Sequence, residues 1–397
     1  MKTYIIGAGA SKCYEKSPTG LKMPVAKEFF QTYNKLRISS DPNVLVGHII
    51  NYVGEYYNIS PEEFIDFNRD IEELHSEVEE KLNISLETND EVNKMLFYST
   101  YNQLVFLFTS VINEIQNGEI SFAHKELIAS MEDTDSIITF NWDTLIDRAL
   151  HENGRWNCDN GYLIKPKMIY RDKWEFNNAN DSKIKLIKLH GSTNWLSSYT
   201  TFNMDGDITF THDSGKEIFY VYEYTNNPYS CYKGRYLPNY KPFSYGYYPP
   251  NLPEKGISAP KGRTFVNYMI RTPFTPKGTS NDSGLVSMPL IIPPVKNKKY
   301  TFYGDLFPEL WNYAEMVLVN SDTIIILGYS FPKTDIRTNE LFISAFTKRN
   351  NIPDIIIVNP NPELIYEKFK LEFGIPEKKI KIYKERIDEN YDFKKLS

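Results

Sequence analysis

The hydrophobic positions of this chain fall into two patterns that alternate along it. Short runs rich in β-branched or aliphatic residues occupy 3–6, 136–139, 185–189, 323–327, 354–358 and 380–383, and those at 323–327 and 354–358 are apolar almost throughout. Stretches at 26–36, which follows Pro24, and at 144–151, 308–320, 338–348 and 362–373 read as helices. Unbroken apolarity, as opposed to strict alternation, marks strands buried on both faces of a parallel sheet. Strands separated by helices predict an α/β fold, a doubly wound parallel sheet of Rossmann-like form. No internal repeat is present.

Two regions depart from this order. Between residues 49 and 115 the helical period runs on without strands. Phe64, Phe67, Ile71, Leu74 and Val78 lie three or four apart, one face of a predicted helix. The opposite face is acidic, with nine Asp or Glu and one Arg over residues 61–80, and reads as solvated. Residues 95–115 are apolar almost all round, through Phe97, Leu104, Val105, Leu107, Phe108, Val111 and Ile112. Such a helix is buried in the core or in a subunit interface. From 199 to 287, Tyr, Pro, Gly, Asn and Lys crowd together, as in Tyr245-Gly246-Tyr247-Tyr248-Pro249-Pro250, no long helix is predicted, and the region reads as loop-rich or short-stranded. The expected division is an α/β domain from residues 1–24, 120–198 and 288–397, a helical module at 25–119 inserted after the first strand, and a loop-rich aromatic insert at 199–287. The apolar 95–115 stretch and the Tyr-rich insert together predict a homo-oligomer, since Tyr is favoured at interfaces.

Composition narrows the class. At 397 residues and 41% hydrophobic content the chain can bury a large core. Its net charge of −6 gives no indication of nucleic-acid binding by the whole surface. Cys13, Cys158 and Cys231 form no C-x-x-C pair, which fits a reducing cytoplasm and argues against a zinc ribbon or a disulfide framework. No apolar run approaches the ~18 residues of a membrane span, and no signal-like segment opens the sequence.

The chemistry sits at the ends of the predicted strands. Gly7-Ala8-Gly9-Ala10-Ser11 follows the first. A glycine turn there lets a phosphate approach the backbone, although such a turn is also an ordinary structural corner. The dehydrogenase fingerprint needs a third glycine where Lys12 stands, so that pattern is not met. Ser11 and the amides of Ala8 to Ser11 remain candidates for a pyrophosphate. Asn141 and Asp143 follow the second strand. They read either as caps for the helix beginning near Leu145 and Ile146 or as ligand contacts at a sheet edge. His190 ends the third strand ahead of Gly191, and an imidazole with its ordinary pKa of about 6.5 suits proton transfer at neutral pH. Gly328, Ser330 and Asn359 end two later strands and read as turn residues or ligand contacts. Asp335 either touches a ligand or caps the next helix, and stays outside the catalytic set. Trp195 reads as core. A phosphate-binding turn, an amide, a carboxylate and an imidazole are together the groups that cleavage of a glycosidic bond requires.

The strings Ile5-Ile6-Gly7-Ala8-Gly9-Ala10-Ser11, Thr139-Phe140-Asn141-Trp142-Asp143, Lys188-Leu189-His190-Gly191-Ser192, Leu327-Gly328-Tyr329-Ser330 and Val358-Asn359-Pro360 resemble the sirtuin-like superfamily. Within it the chain is similar to the bacterial sirtuin-like effectors that degrade NAD in anti-phage defence. Its length and extra modules resemble the subunits that assemble with HerA-type hexameric ATPases. The motif-bearing segments cover about half of the chain. The resemblance implies a sirtuin-type fold, NAD as the substrate and no metal. It implies Asn141 holding a ribose hydroxyl or a water, Asp143 orienting the carboxamide, and His190 drawing a proton. Gly328 and Ser330 would lie near the phosphates and Asn359 at the adenosine ribose. Two departures stand out: the four-cysteine zinc module of protein deacylases is absent, and Phe140 stands where deacylases carry a glutamine. Both favour plain NAD hydrolysis over its rivals, a protein deacylase or ADP-ribosyltransferase. A non-catalytic NAD or ADP-ribose sensor is the remaining alternative.

Overall fold

The computed structural model describes residues 1–36, 42–88, 90–171, 174–178, 180–198, 201–203, 210–211, 219–223, 264–266, 287–293, 305–332 and 335–396. Most of the 199–287 insert, including the Pro- and Tyr-rich run at 245–250, lies outside them.

Six parallel strands form the main sheet: β1 (Lys2–Ile6), β2 (Ser136–Thr139), β5 (Lys185–Lys188), β12 (Thr323–Leu327), β13 (Asp354–Val358) and β14 (Ile380–Tyr383). Their order across the sheet is β5-β2-β1-β12-β13-β14. The chain steps outward from β1 in one direction, then returns to the other side of β1 and steps outward again. Right-handed crossovers running in opposite directions put the connecting helices on opposite faces. This is the doubly wound, Rossmann-like order, with its switch point between β1 and β12. Every residue of β2 is buried, as are the last four of β1 and of β12, as strands covered on both faces require.

Register fixes where the strands end. Ile6 pairs with Thr139 on one side and Leu327 on the other; Thr139 pairs with Lys188, Leu327 with Val358, and Val358 with Tyr383. Whatever follows these residues therefore leaves the sheet along one carboxyl edge.

A second, five-stranded sheet was not predicted from the hydrophobic pattern. Its order is β11-β6-β9-β3-β4, built from β3 (Met168–Tyr170), β4 (Trp174–Phe176), β6 (Gly191–Ser198), β9 (Tyr220–Tyr222) and β11 (Ser287–Ile291). All its pairings are antiparallel except β3 with β9. Trp195 on β6 is fully buried against Tyr162 and Phe219, a core residue as expected. Three short strands, β7 (Thr201–Asn203), β8 (Phe210–Thr211) and β10 (Thr264–Val266), pair as a small antiparallel sheet.

Between β1 and β2 lie the helices Pro42–Tyr57, Ile71–Glu87 and Glu91–Gln116. The long helix Glu91–Gln116 opens on Asp90, whose carboxylate accepts from the amide of Asn93. It packs on both other helices and on β6 and β11, so Leu104, Leu107, Val111 and Ile115 are buried within this one chain. Two expectations for this module change. Phe64 lies in a separate 3-10 turn, Glu63–Asp66, and Phe67 just after it, because Asp70 starts the helix at Ile71 by accepting from the amides of Glu72 and Glu73. The acidic face is not all solvated. Glu79 is buried, and Glu77 accepts hydrogen bonds from Tyr52 and Tyr57 and pairs with Arg69. Among the described residues no helix is long and apolar enough to cross a membrane.

Candidate functional site

A cavity of about 450 Å³ opens at the carboxyl edge of the main sheet, over the switch point. Ligands of open α/β sheets bind at this place because diverging crossovers leave a crevice there. Of the residues singled out in the sequence, Ala8, Gly9, Ser11, Asn141, Asp143, His190, Gly328, Ser330 and Asn359 line it. Gly7 and Ala10 do not. Ala10 is buried on the other side of its turn, beside Cys13 and His124.

The first glycine turn is shaped by the loop opposite it. The amide of Gly7 donates to the Leu327 carbonyl and that of Gly9 to the Gly328 carbonyl, both at 3.0 Å. A Cβ on Gly7 would fall 2.5 Å from Tyr329 Cα, and one on Gly9 2.7 Å from the Gly328 oxygen. The two glycine loops thus interlock across the switch point, which neither motif shows alone.

Ser11 lines the cavity and makes contacts within the chain that its motif does not show. Its Oγ accepts from Asn141 Nδ2 at 2.8 Å and donates to Asp143 Oδ2 at 2.7 Å. The hydroxyl clamps the second motif to the first. Asn141 does not cap the helix Leu145–Asn153. The Thr139 hydroxyl accepts from the Asn141 amide and turns the chain out of β2, leaving the Asn141 side chain at the cavity. No bond within the described residues engages its Oδ1, which suits a ribose hydroxyl or a water as donor. Asp143 does act as a cap, accepting from the Leu145 amide at 3.1 Å, while its other oxygen holds Ser11. Beneath this loop the buried Lys188 ammonium donates to the Asp143 carbonyl at 2.5 Å and pairs with Asp147 at 3.0 Å.

His190 sits where β5 hands over to β6. Gly191, at φ +77°, makes the turn, and a Cβ there would strike the Leu290 carbonyl at 2.3 Å. The His190 carbonyl accepts from the Ile292 amide. Its imidazole is 2% exposed, between the rings of Phe140 (centroids 5.4 Å) and Trp142 (5.6 Å). Phe140 in turn stacks on Tyr329 at 4.3 Å. Trp142 is held by its indole N–H on the Ile292 carbonyl and lies edge-on to Phe108 of the long helix. Three aromatic rings therefore fix the imidazole and wall the cavity.

Asp335 belongs to this site, although its sequence context left its role open. Its Oδ1 lies 3.9 Å from His190 Nε2, and its Oδ2 accepts from the Tyr329 hydroxyl at 2.8 Å. Its side chain makes no capping bond to the following helix, Ile336–Lys348. Asn359 serves partly as a turn residue, its Oδ1 accepting from the Asn361 amide at 2.9 Å. Ser330 is exposed at the rim. The sequence reading also missed Glu72 and Phe29, which reach the cavity from the helical region, and Arg386, beyond the last strand. None carries a local motif; only the fold brings them to the cavity.

No family model matches the chain, and no curated protein matches it. Among solved structures, the chain is similar to one described as the structural basis of sirtuin substrate affinity, with a TM-score of 0.34 and 13% identity over 98% of this chain and 89% of that one. It is also similar to a Sir2 mutant with a p53 peptide and NAD (TM-score 0.30, 13% identity, 97% and 88% covered) and to a Sir2-homologue mutant complexed with ADP-ribose (0.30, 13%, 97% and 86%). The fold of this chain is given by its own strand order.

Proposed function

We propose that the chain is an NAD⁺ hydrolase. It breaks the bond between nicotinamide and C1′ of its ribose and gives ADP-ribose, nicotinamide and a proton. One observation carries the reading: His190 and the clamped Ser11–Asn141–Asp143 group converge on a single cavity at the switch point of a doubly wound sheet. The motif resemblance supplies NAD as the ligand.

The chemistry asks little of an acid. The pyridinium leaves as neutral nicotinamide, and charge builds on the ribose as an oxocarbenium-like state. The protein has to place a water, take its proton and stabilise the developing charge. Asn141 Oδ1 accepts from a ribose hydroxyl or from the water. His190 takes the proton, and Asp335 faces the imidazolium that results. Phe140, Trp142 and Tyr329 give the nicotinamide half an apolar wall that keeps bulk water away. In the cell we place this activity as a defence effector that depletes NAD. Such an enzyme must be restrained until triggered, and subunit packing or a HerA-type ATPase partner would supply that restraint.

The purified chain incubated with NAD⁺ should release nicotinamide. His190→Ala should abolish release while ADP-ribose binding by calorimetry persists. Release that requires an acyl-lysine peptide would make the chain a deacylase, and binding without release would make it a sensor. His190→Ala turnover near that of the parent would remove the imidazole from the mechanism.

A further inference from the structure

We infer that Arg386 makes this site accept a 2′-phosphorylated dinucleotide, so that NADP⁺ is a substrate alongside NAD⁺. The inference rests on the nucleotide reading above and extends it to the adenosine end of the cavity.

Position comes first. His190 follows β5 at one edge of the sheet, and Asn359 follows β13, four strand spacings away, or about 19 Å at the usual ~4.8 Å between strands. Arg386 lies three residues beyond the end of β14, one strand further out, and lines the same cavity. If the nicotinamide ribose is at His190 and Asn141, the adenosine half reaches β13 and β14.

Charge comes second. Dinucleotide folds that select NAD place an acid at a strand end, where it accepts from the ribose 2′-hydroxyl and repels a 2′-phosphate. Those that take NADP place an Arg nearby. Here the residue following β13 is the neutral Asn359. Its Oδ1 is taken by the Asn361 amide, which leaves its Nδ2 as a donor. The acid beside Arg386, Glu385, is paired with Lys395, and that contact holds its carboxyl below the usual range. Arg386 itself is exposed, and among the described residues no carboxylate pairs with it. The cavity's other lining cation, Lys12, is paired with Glu28 at 2.7 Å. The adenosine end thus offers a guanidinium and an amide N–H, with the nearest acid neutralised. A phosphate monoester is the ligand group that satisfies both, since guanidinium binds phosphate through two parallel N–H donors.

The reaction balances as it does for NAD⁺. Water adds to C1′, the C1′–N bond breaks, and nicotinamide, 2′-phospho-ADP-ribose and a proton leave. The test compares binding of ADP-ribose and 2′-phospho-ADP-ribose by calorimetry, for the parent chain and for Arg386→Ala. The parent should bind the 2′-phosphate form at least as tightly. Arg386→Ala should lower the ratio of the two affinities about tenfold or more, the size expected for one charge-assisted contact. An equal loss for both ligands would assign Arg386 to the pyrophosphate and overturn the inference, as would a parent chain that binds the 2′-phosphate form more weakly. In those cases ADP-ribose binding and NAD⁺ cleavage would leave the hydrolase reading standing. Binding of neither ligand would remove both. Because Arg386 is exposed and pairs with no carboxylate among the described residues, its loss should not unfold the chain, and an unchanged melting temperature checks this.

Discussion

Single residues explain how this site keeps its shape. Ser11 commits its one hydroxyl donor to Asp143 and one of its two acceptor lone pairs to Asn141, which ties the two residues together. Lys188 fixes the same loop from below through the Asp143 carbonyl and Asp147. We predict that Lys188→Met lowers both stability and turnover. Removing one member of a buried pair costs about 3–5 kcal/mol, because Asp147 is left charged and unmatched. The added loss in turnover at saturating NAD⁺, measured well below the melting temperature, is what a merely structural lysine would not produce. Parent-like turnover in a folded Lys188→Met would show that the loop needs no such tether. His190, Asn141 and Asp143 were legible in the sequence because each directly follows a buried strand. Asp335 was not, since its partners His190 and Tyr329 reach it only through the fold. The part Ser11 plays was also hidden: it depends on residues 130 and 132 positions away.

Elements show a sharper contrast between what the pattern reveals and what it hides. The strands at 136–139, 323–327 and 354–358 were predicted to the residue, because burial in the sheet leaves a continuous apolar run with charged or turn residues at its ends. The strand at 380–383 matched too, although it lies at the sheet edge and none of its residues is buried. The strand β6 was not. It starts immediately after His190, its residues mix polar and apolar, and the single left-handed Gly191 carries the chain from one sheet into the next. The interlocked glycine turns were half legible: the glycines stood out, but their contact did not. This contact gives a test. Gly328 has φ +61°, and a Cβ there would lie 2.4 Å from the Ala10 amide nitrogen. Gly154, at φ +77°, has nothing within 4 Å of a built Cβ. Gly154→Ala should therefore show the left-handed penalty alone, roughly 1–2 kcal/mol. Gly328→Ala should cost clearly more and should also weaken ADP-ribose binding, since the first turn must move. Equal losses of melting temperature in the two variants would refute the interlock.

For the whole molecule, the long helix Glu91–Gln116 joins the helical module to the five-stranded sheet. Its apolar residues are covered by the chain's own helices and by β6 and β11, so its hydrophobicity no longer calls for a second subunit. Instead its end is tied to the site. Gln116 accepts from the Thr144 amide and donates to the Thr193 hydroxyl, next to the Asn141–Asp143 loop and the His190 turn. The helical module and the α/β sheet should then lose structure together, and acid offers a way to see it. His75 is fully buried in the helix Ile71–Glu87, where burial pushes its pKa down to about 3, against a smaller opposing effect of the Tyr101 backbone. His124, in the helix Phe122–Ser130 beside Cys13, is held down to about 4, again mainly by burial. Both stay neutral in the folded chain below the pH at which they protonate when unfolded, about 6.5. Their contribution to stability is therefore intact above pH 6.5 and lost progressively as pH falls toward 4 and then 3, because the unfolded chain binds protons that the folded chain refuses. The carboxylates held low by exposed partners, such as Asp133 and Glu315, act only below about pH 4.5, so the window from 6.5 to 4.5 isolates the histidines. We predict that the melting temperature drops across that window in a single transition. His75→Leu, which alters only the helical module, should flatten the pH slope of the whole melt. Two separate transitions, with only one of them changing slope, would show that the module unfolds on its own and that Gln116 does not couple it to the site.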